Sequence, residues 1–248
     1  MRTPPTVLTT ALALLLWAGL QATPGKAEPL KTVVELFTSQ GCNSCPPADA
    51  YLGRLAKRED LIGLTFHVDY WDYLGWRDTF ASPLYTERQR SYATAMQDRR
   101  VYTPQMVIGG AIHAVGSDEG EVTRAIDKVR RERRAGPDIE MMRDGKRVLV
   151  KLSAGAAEGD ATIWLARYDN VREVAIRRGE NGGRQLSYYN VVRQLTNVGL
   201  WRGEAMEIAF PLADLAEGGR DGCAIIVQLG GHGAIIGAAE MDLAESDS

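Results

Sequence analysis

Two cysteines three positions apart have the residue type and spacing best suited to chemistry in this sequence. Cys42 and Cys45 lie in the segment TSQGCNSCPPAD, residues 38–49, and two prolines follow them directly. A Cys-x-x-Cys pair can exchange disulfides, contribute two ligands to a metal site, or close a small structural loop. A loop this short removes little freedom from the unfolded chain, so stabilisation alone is the weakest explanation of the pair.

The predicted elements place both cysteines at a strand-to-helix junction, which favours redox chemistry. KTVVELFTS, residues 31–39, is typical of a buried strand, and PPADAYLGRLAKRED, residues 46–60, has the pattern of a helix with prolines in its first turn. The N–H groups at a helix N-terminus have no partners within the helix and stabilise a nearby thiolate. We therefore expect Cys42 to be the nucleophile and Cys45 to be the resolving thiol that releases a mixed disulfide.

A carboxylate lies close to the pair in sequence. Glu35 occupies the middle of the predicted strand, in VVELF. If its side chain is buried near the cysteines, it can accept the proton of Cys45. The alternative is a glutamate that is exposed at the strand end or neutralised by an arginine or lysine.

The remaining soft ligands are few. They are His67, His113, His232 and Cys223. Two thiolates and one imidazole would suit Cu(I) or Zn(II), and His67 ends a strand that can neighbour the first one. The simpler interpretation is that the histidines are core or surface residues and that Cys223, in CAIIVQL, is a small buried hydrophobe.

Two other segments are chemically distinctive. Residues 66–80 contain six aromatic side chains, which either floor a groove beside Cys42 or form the core of an insertion. Residues 177–184, RRGENGGR, form a polar glycine-rich turn. Its polar side chains either contact the first half of the chain or a partner, or belong to an ordinary hairpin; they are Arg178, Glu180, Asn181 and Arg184.

The element pattern changes near Gly136. Before it, the order is strand, helix, strand, helix, strand, strand, helix; after it, about seven short runs of β character follow, separated by Gly, Asn and Asp. The sequence therefore predicts an α/β domain over residues 28–136 and an all-β, sandwich-like domain over residues 137–248.

Residues 1–27 have the features of a secretory signal peptide. Arg2 precedes the uncharged apolar run VLTTALALLLWAGL, and small residues lead up to Ala27. The run is too short to span a bilayer, so we expect an exported protein, periplasmic or secreted, without stable membrane insertion after cleavage. Cleavage changes the net charge from −3 to −5, and the absence of a basic face argues against nucleic acid as a partner.

The element order of the first half, with Cys-x-x-Cys at the first strand-to-helix junction, resembles the thioredoxin fold. The segments ELFTSQGCNSCPPAD, FHVDYWDYLGWRD, YTPQMV and RGENGGRQLSYYNVVR resemble a family of secreted bacterial proteins of unknown function that joins a thioredoxin-like domain to a C-terminal β-rich domain. The resemblance runs from about Val33 to Met241. It implies a cis peptide bond at Thr103–Pro104, with Thr103 presenting its backbone to substrate. Gly41 and Pro46 depart from the thioredoxin pattern and leave substrate specificity open.

These features predict an exported thiol–disulfide oxidoreductase-like protein that acts on protein or small thiol and disulfide substrates, with no cofactor. The candidate site residues are Cys42, Cys45, Thr103, Pro104 and Glu35. The alternative is a copper or zinc chaperone that uses the same cysteines, or a non-catalytic adaptor protein. The sequence does not distinguish an oxidant from a reductant or an isomerase.

Overall fold

The elements of the first half follow the predicted order. The computed structural model describes residues 31–132 and 134–244, and the predicted signal peptide lies outside these residues. The elements up to residue 131 are β1 (Thr32–Thr38), α1 (Pro46–Leu55), β2 (Leu61–His67), a short 3₁₀ helix (Asp72–Leu74), α2 (Pro83–Ala95), β3 (Gln105–Ile108), β4 (Ile112–Val115) and α3 (Glu119–Arg131).

The second half is mostly β structure, as predicted for its local pattern. Its elements are β5 (Ile139–Asp144), β6 (Arg147–Leu152), β7 (Ala161–Ala175), β8 (Gln185–Trp201), β9 (Met206–Pro211), α4 (Leu212–Ala216), β10 (Gly222–Leu229) and β11 (Ile235–Asp242). Two predicted short runs, ATIWLARYD and REVAIRR, belong largely to the single long strand β7.

The starts of α2 and α3 are set by side-chain caps. The Ser82 hydroxyl accepts a hydrogen bond from the N–H of Leu84 at the start of α2, as its position after a loop predicts. At the start of α3, the cap is Asp118 and not the neighbouring Ser117, because the Asp118 carboxylate accepts from the N–H of Glu121. Basic residues occupy the last turn of α3, where they complement the helix dipole.

Strands from both halves form one sheet, so the predicted fold class is wrong. The sequence predicts a thioredoxin-like α/β domain followed by a separate all-β domain, but the structure contains a mixed eight-stranded sheet in the order β11-β10-β7-β8-β2-β1-β3-β4. β1 and β2 are parallel, and β8 joins β2 in parallel at Thr65 and Val191. Whether residues 28–136 and 137–248 fold as independent units stays a prediction.

The physical reason for the single sheet is the burial of β2. All seven of its residues are buried, which is typical of an interior strand covered on both faces. A domain that ended near Gly136 would leave one edge of β2 unpaired. β8 provides the missing neighbour: the Thr65 hydroxyl donates to the carbonyl of Tyr189 (2.6 Å), and the Asn190 amide donates to the carbonyl of Gly63 (2.9 Å).

Three apolar clusters hold the layers together. α1 and α3 pack on one face of β1, β2 and β3 through residues such as Leu36, Leu52 and Val122. The opposite face packs against α2 and against residues of β7, β8, β10 and β11, in a cluster that includes Phe37 and Tyr92. A second sheet, in the order β5-β6-β9, covers the outer side of β7 and β10. No helix in the described ranges is both long and apolar enough to cross a membrane.

Alternation along β1 decides which layer each side chain joins. Val34 and Leu36 belong to the cluster under α1 and α3, whereas Val33 and Phe37 belong to the cluster under α2. Because successive side chains of a strand point to opposite faces, Glu35 lies on the α2 face and Thr38 lies on the α1 face.

Candidate functional site

Cys42 and Cys45 form a disulfide at the junction of β1 and α1. Cys45 is the residue that caps the N-terminus of α1, and its carbonyl accepts hydrogen bonds from the N–H groups of Ala48 (2.9 Å) and Asp49 (3.1 Å). Cys42 is 2% exposed and Cys45 is 0% exposed, so both cysteines are buried and exposure does not distinguish their predicted roles. Prolines occupy the first two positions of α1, so this helix start offers a thiolate fewer N–H donors than most.

The tip of the β7–β8 hairpin covers the cysteine loop. We define the hairpin tip as residues 177–184. The side-chain amide of Asn181 donates to the carbonyls of Gln40 (3.0 Å) and Cys42 (2.9 Å), and Arg184 donates to the Asn181 side-chain oxygen (2.8 Å). Asn181 is buried. Contact of this glycine-rich turn with the first half of the chain is therefore confirmed for Asn181.

The aromatic segment after β2 also contacts the cysteine loop. The indole N–H of Trp76 donates to the side-chain oxygen of Gln40 (2.8 Å), and a Cβ placed on Gly41 would lie 3.2 Å from the Cβ of Trp71. A larger residue at position 41 would therefore press against Trp71. The segment forms a wall of the site and is not only the core of an insertion.

The predicted cis peptide bond between Thr103 and Pro104 is confirmed. The Thr103 hydroxyl accepts a hydrogen bond from the indole N–H of Trp71 (2.8 Å), which links the start of β3 to the wall of the cysteine site. The carbonyl of Pro104 accepts from the N–H of Gly116 (3.0 Å). The roles of Thr103 and Pro104 in substrate binding stay predictions.

Glu35 is neutralised by an arginine, which was one of its two interpretations. The Arg88 Nε donates to Glu35 Oε1 (2.8 Å), and the Tyr92 hydroxyl donates to Glu35 Oε2. Both partners come from α2, and Glu35 faces that helix on the side of the sheet opposite α1. The role of Glu35 as the proton acceptor of Cys45 stays a prediction that none of these contacts supports.

Asp49 is the carboxylate that the sequence analysis missed. It lies in α1 one helical turn after Cys45 and is 4% exposed. Burial raises the pKa of Asp49 to about 7, and the nearby His67 opposes this increase. A signal was present in the sequence, because Cys45, Asp49 and Leu52 follow the spacing of one helix face whose other members are apolar.

A group of buried polar side chains surrounds Asp49. We define the polar chamber as Thr38, Asp49, His67 and Tyr188. Thr38 and His67 are paired neighbours at the ends of β1 and β2, and the rings of His67 and Tyr188 are 4.7 Å apart. The Thr38 hydroxyl, both Asp49 carboxylate oxygens, His67 Nε2 and the Tyr188 hydroxyl make no hydrogen bond within 3.5 Å, although the Thr38 hydroxyl is close enough to the Asp49 carboxyl group to lower its pKa.

Asp78 connects the polar chamber to the cysteine loop. Its Oδ2 accepts from His67 Nδ1 (2.8 Å) and from the N–H of Gln40 (2.7 Å). Burial alone would raise the pKa of Asp78, but the His67 charge and these hydrogen bonds lower it below its usual value. Asp78 therefore favours its ionised form although it is buried.

The other candidate ligands lie apart from the cysteines. His113 contacts the Tyr102 hydroxyl (2.9 Å) and Asp98 (2.8 Å), and His232 packs beside the rings of Tyr92 and Trp164. Cys223 is buried and free, as predicted, and burial raises its pKa to about 12. Within residues 31–132 and 134–244, no group of three or more His, Cys, Asp or Glu side chains is arranged to hold a metal ion.

One solved structure is similar to this chain over almost the whole length of both proteins. The crystal structure of protein AGR_C_4864 from Agrobacterium tumefaciens has 34% identity and a TM-score of 0.78, and the similarity covers 89% of this chain and 98% of that one. Hypothetical protein PH1083 from Pyrococcus horikoshii OT3 has 15% identity and a TM-score of 0.21 over 46% of this chain and 98% of that one, which supports no conclusion.

Comparison with protein families gives a match that covers most of the chain. No curated protein matches the sequence. Residues 33–228 match the family described as protein of unknown function (DUF1223). This range includes the cysteine loop, the polar chamber and the hairpin tip. The chain therefore belongs to the DUF1223 family.

Proposed function

We propose that the protein is an exported thiol–disulfide oxidoreductase whose reacting group is the Cys42–Cys45 disulfide. The observation that carries this proposal is the position of the disulfide: it lies at the start of α1, one helical turn from Asp49, a buried carboxyl with a pKa of about 7. A purely structural disulfide needs no titratable neighbour, and perturbed carboxyl groups are concentrated at functional sites.

The reaction follows from ordinary disulfide exchange. A substrate thiolate attacks the Cys42 sulfur, the Cys42–Cys45 bond breaks, and Cys45 leaves as a thiolate that takes up a proton. A second substrate thiolate then attacks the substrate sulfur of the mixed disulfide, which gives an oxidised substrate and reduced Cys42. In the opposite direction, the Cys42 thiolate attacks a substrate disulfide and Cys45 resolves the product.

The disulfide and the proposed location are consistent with each other. Disulfides persist in oxidising compartments and are rare in the cytosol. The chain carries a Cys42–Cys45 disulfide, and its described residues contain no helix able to cross a membrane. Export through the predicted signal peptide would place the cysteine pair among protein substrates with thiols or disulfides.

A trapping experiment tests the proposed reaction. In Cys45→Ser, the mixed disulfide at Cys42 has no resolving thiol, so we expect covalent adducts with partner proteins when the variant is exported from bacterial cells. Non-reducing gels and mass spectrometry would identify these adducts. Cys42→Ser is the matched control and should give few adducts, because Cys45 is the resolving thiol of the proposed reaction and does not react first with substrate. Equal trapping by both variants, or none by either, would contradict the assignment.

We expect access to Cys42 to require movement of the hairpin tip, because the tip contacts the cysteine loop and Cys42 is 2% exposed. Asn181→Ala removes the donor shared by the carbonyls of Gln40 and Cys42. Each lost hydrogen bond contributes about 1 kcal/mol, so we expect the disulfide to be reduced by dithiothreitol about tenfold faster or more. Asn197→Ala, also on this hairpin but remote from its tip, is the matched control. An unchanged rate in Asn181→Ala would show that the tip does not limit access.

A further inference from the structure

We propose that the polar chamber is a binding site for water and that this water and Asp49 hold the proton exchanged at Cys45. The proposal rests on the proposed function and deepens it. When the S–S bond breaks, the Cys45 thiolate takes the proton of the Asp49 carboxyl group, which becomes a carboxylate. In the reverse step, the carboxylate accepts the proton of the Cys45 thiol as its sulfur attacks the mixed disulfide at Cys42.

The proposal that the polar chamber binds water rests on the clustering of buried polar atoms without hydrogen-bond partners. In the described part of the chain, six buried side-chain polar atoms lack a hydrogen-bond partner, and five of them belong to the polar chamber. Leaving a buried polar atom unsatisfied is unfavourable. The contact between Thr38 and Asp49 offsets part of this cost, but it leaves His67 Nε2 and the Tyr188 hydroxyl without a partner. A small molecule that hydrogen-bonds to these atoms would remove the remaining cost.

Water matches the chemistry of these atoms. The hydroxyls of Thr38 and Tyr188 can both donate and accept, the Asp49 carboxyl group accepts, and His67 Nε2 completes the lining. A buried water molecule usually makes about three hydrogen bonds to groups of this kind. A metal ion fits less well, because no three His, Cys, Asp or Glu side chains in the described residues are arranged to bind one.

The proposal that Asp49 holds the proton exchanged at Cys45 rests on the position of Asp49 in α1. Residues four apart on a helix are neighbours on one face, so the side chains of Cys45 and Asp49 lie on the same face of α1. Both are buried, which limits direct proton exchange with bulk water. An acid that titrates near pH 7 can both hold and release a proton under ordinary conditions.

The other titratable groups around Asp49 come from several elements. His67 on β2, Asp78 in the segment after β2 and Tyr188 on β8 face the chamber, and Arg184 of the hairpin tip acts on Tyr188. Burial raises the pKa of Tyr188 far above neutrality, so its hydroxyl stays protonated. Asp49 is the chamber residue whose carboxyl group can exchange a proton near pH 7.

The proton step can be followed with an aromatic disulfide that releases a coloured thiolate, bis(nitrobenzoate) disulfide. Reduced protein attacks this probe through Cys42 and releases one thiolate; attack by Cys45 then releases a second. We expect the second phase in the wild-type protein to accelerate with pH around a midpoint near 7. In Asp49→Asn, the second phase should slow at least tenfold below pH 7 and its midpoint should move upward. Asp127→Asn, an exposed acid on α3, is the matched control.

The outcomes separate this proposal from the proposed function. If the wild-type protein releases only one thiolate, as Cys45→Ser must, the redox role of the pair is wrong. If the wild-type protein releases two and Asp49→Asn has the same pH profile, the proton role of Asp49 is wrong. A high-resolution crystal structure tests hydration: ordered water within hydrogen-bond distance of Asp49 and His67 supports the site, and a dry chamber overturns it.

Discussion

Replacing Asp49 with asparagine is expected to increase the free energy of unfolding at pH 8 by an amount on the order of 4 kcal/mol. Burial raises the pKa of Asp49 from 3.8 to about 7. The unfolded chain therefore loses the proton near pH 4, while the folded protein keeps it until about pH 7. Stability is lost across this interval, because one pKa unit corresponds to about 1.4 kcal/mol. Asparagine has the same shape and no charge, and it avoids this loss.

Denaturant unfolding of the oxidised proteins at pH 4 and pH 8 would measure the effect. The stabilisation by Asp49→Asn should be large at pH 8 and small at pH 4, where the folded protein holds the proton and the unfolded chain has only begun to lose it. Asp127→Asn should change stability little at either pH, because its side chain is exposed. A variant that is less stable than the wild-type protein at pH 8 would mean that the Asp49 carboxylate has a partner in the folded state.

Replacing Glu35 with glutamine is expected to decrease the free energy of unfolding by about 3–5 kcal/mol. The Arg88 guanidinium and the Glu35 carboxylate are both buried and are joined by a hydrogen bond of 2.8 Å. Glutamine is similar in shape but cannot neutralise the arginine, which leaves an uncompensated charge in the cluster under α2. The double variant Glu35→Gln with Arg88→Met should recover part of this loss, because it removes both charges.

The same variant distinguishes a structural role for Glu35 from a catalytic one. Because Glu35 faces α2 across the sheet from α1, we expect folded Glu35→Gln to exchange disulfides at nearly the wild-type rate. Glu87→Gln, on the exposed side of α2, is the control for stability and should change it by less than about 0.5 kcal/mol. Loss of exchange in a Glu35→Gln protein that remains folded would restore Glu35 as the proton acceptor of Cys45.

Local features of the fold were predictable from the sequence, whereas strand partners were not. Periodicity, prolines and cap residues predict α1, α2 and the β3–β4 hairpin, because these depend on residues close in sequence. The pairing of Thr65 with Val191 depends on residues far apart. The hydrophobic pattern specifies that β2 is buried but does not specify which strand pairs with its edge, so the sequence assigns the strands of one continuous sheet to two different fold classes.

The candidate site shows the same limit at the level of single residues. The Cys-x-x-Cys pair was visible as a motif, and Asp49 was detectable from its spacing on a helix face. Glu35 was chosen as the acid near Cys45, but its contacts do not support this choice. Side chains alternate between the two faces of the sheet along β1, and the sequence does not say which helix covers which face. Asn181 was recognised only as part of a polar turn, because its contacts with the cysteine loop are set by the long β7–β8 hairpin.

Asn181 and Cys42 are in contact but lie 139 positions apart in the chain, so the cysteine loop is synthesised well before the residue that covers it. A chain that grows at about 5–20 residues per second carries both thiols for roughly 7–30 s before the residue that covers them exists. During this interval, the cysteines are open to oxidants and to thiols of other nascent chains. Thiol labelling of ribosome-bound chains halted before residue 181 would detect this open state, which ends when the β7–β8 hairpin folds onto the sheet.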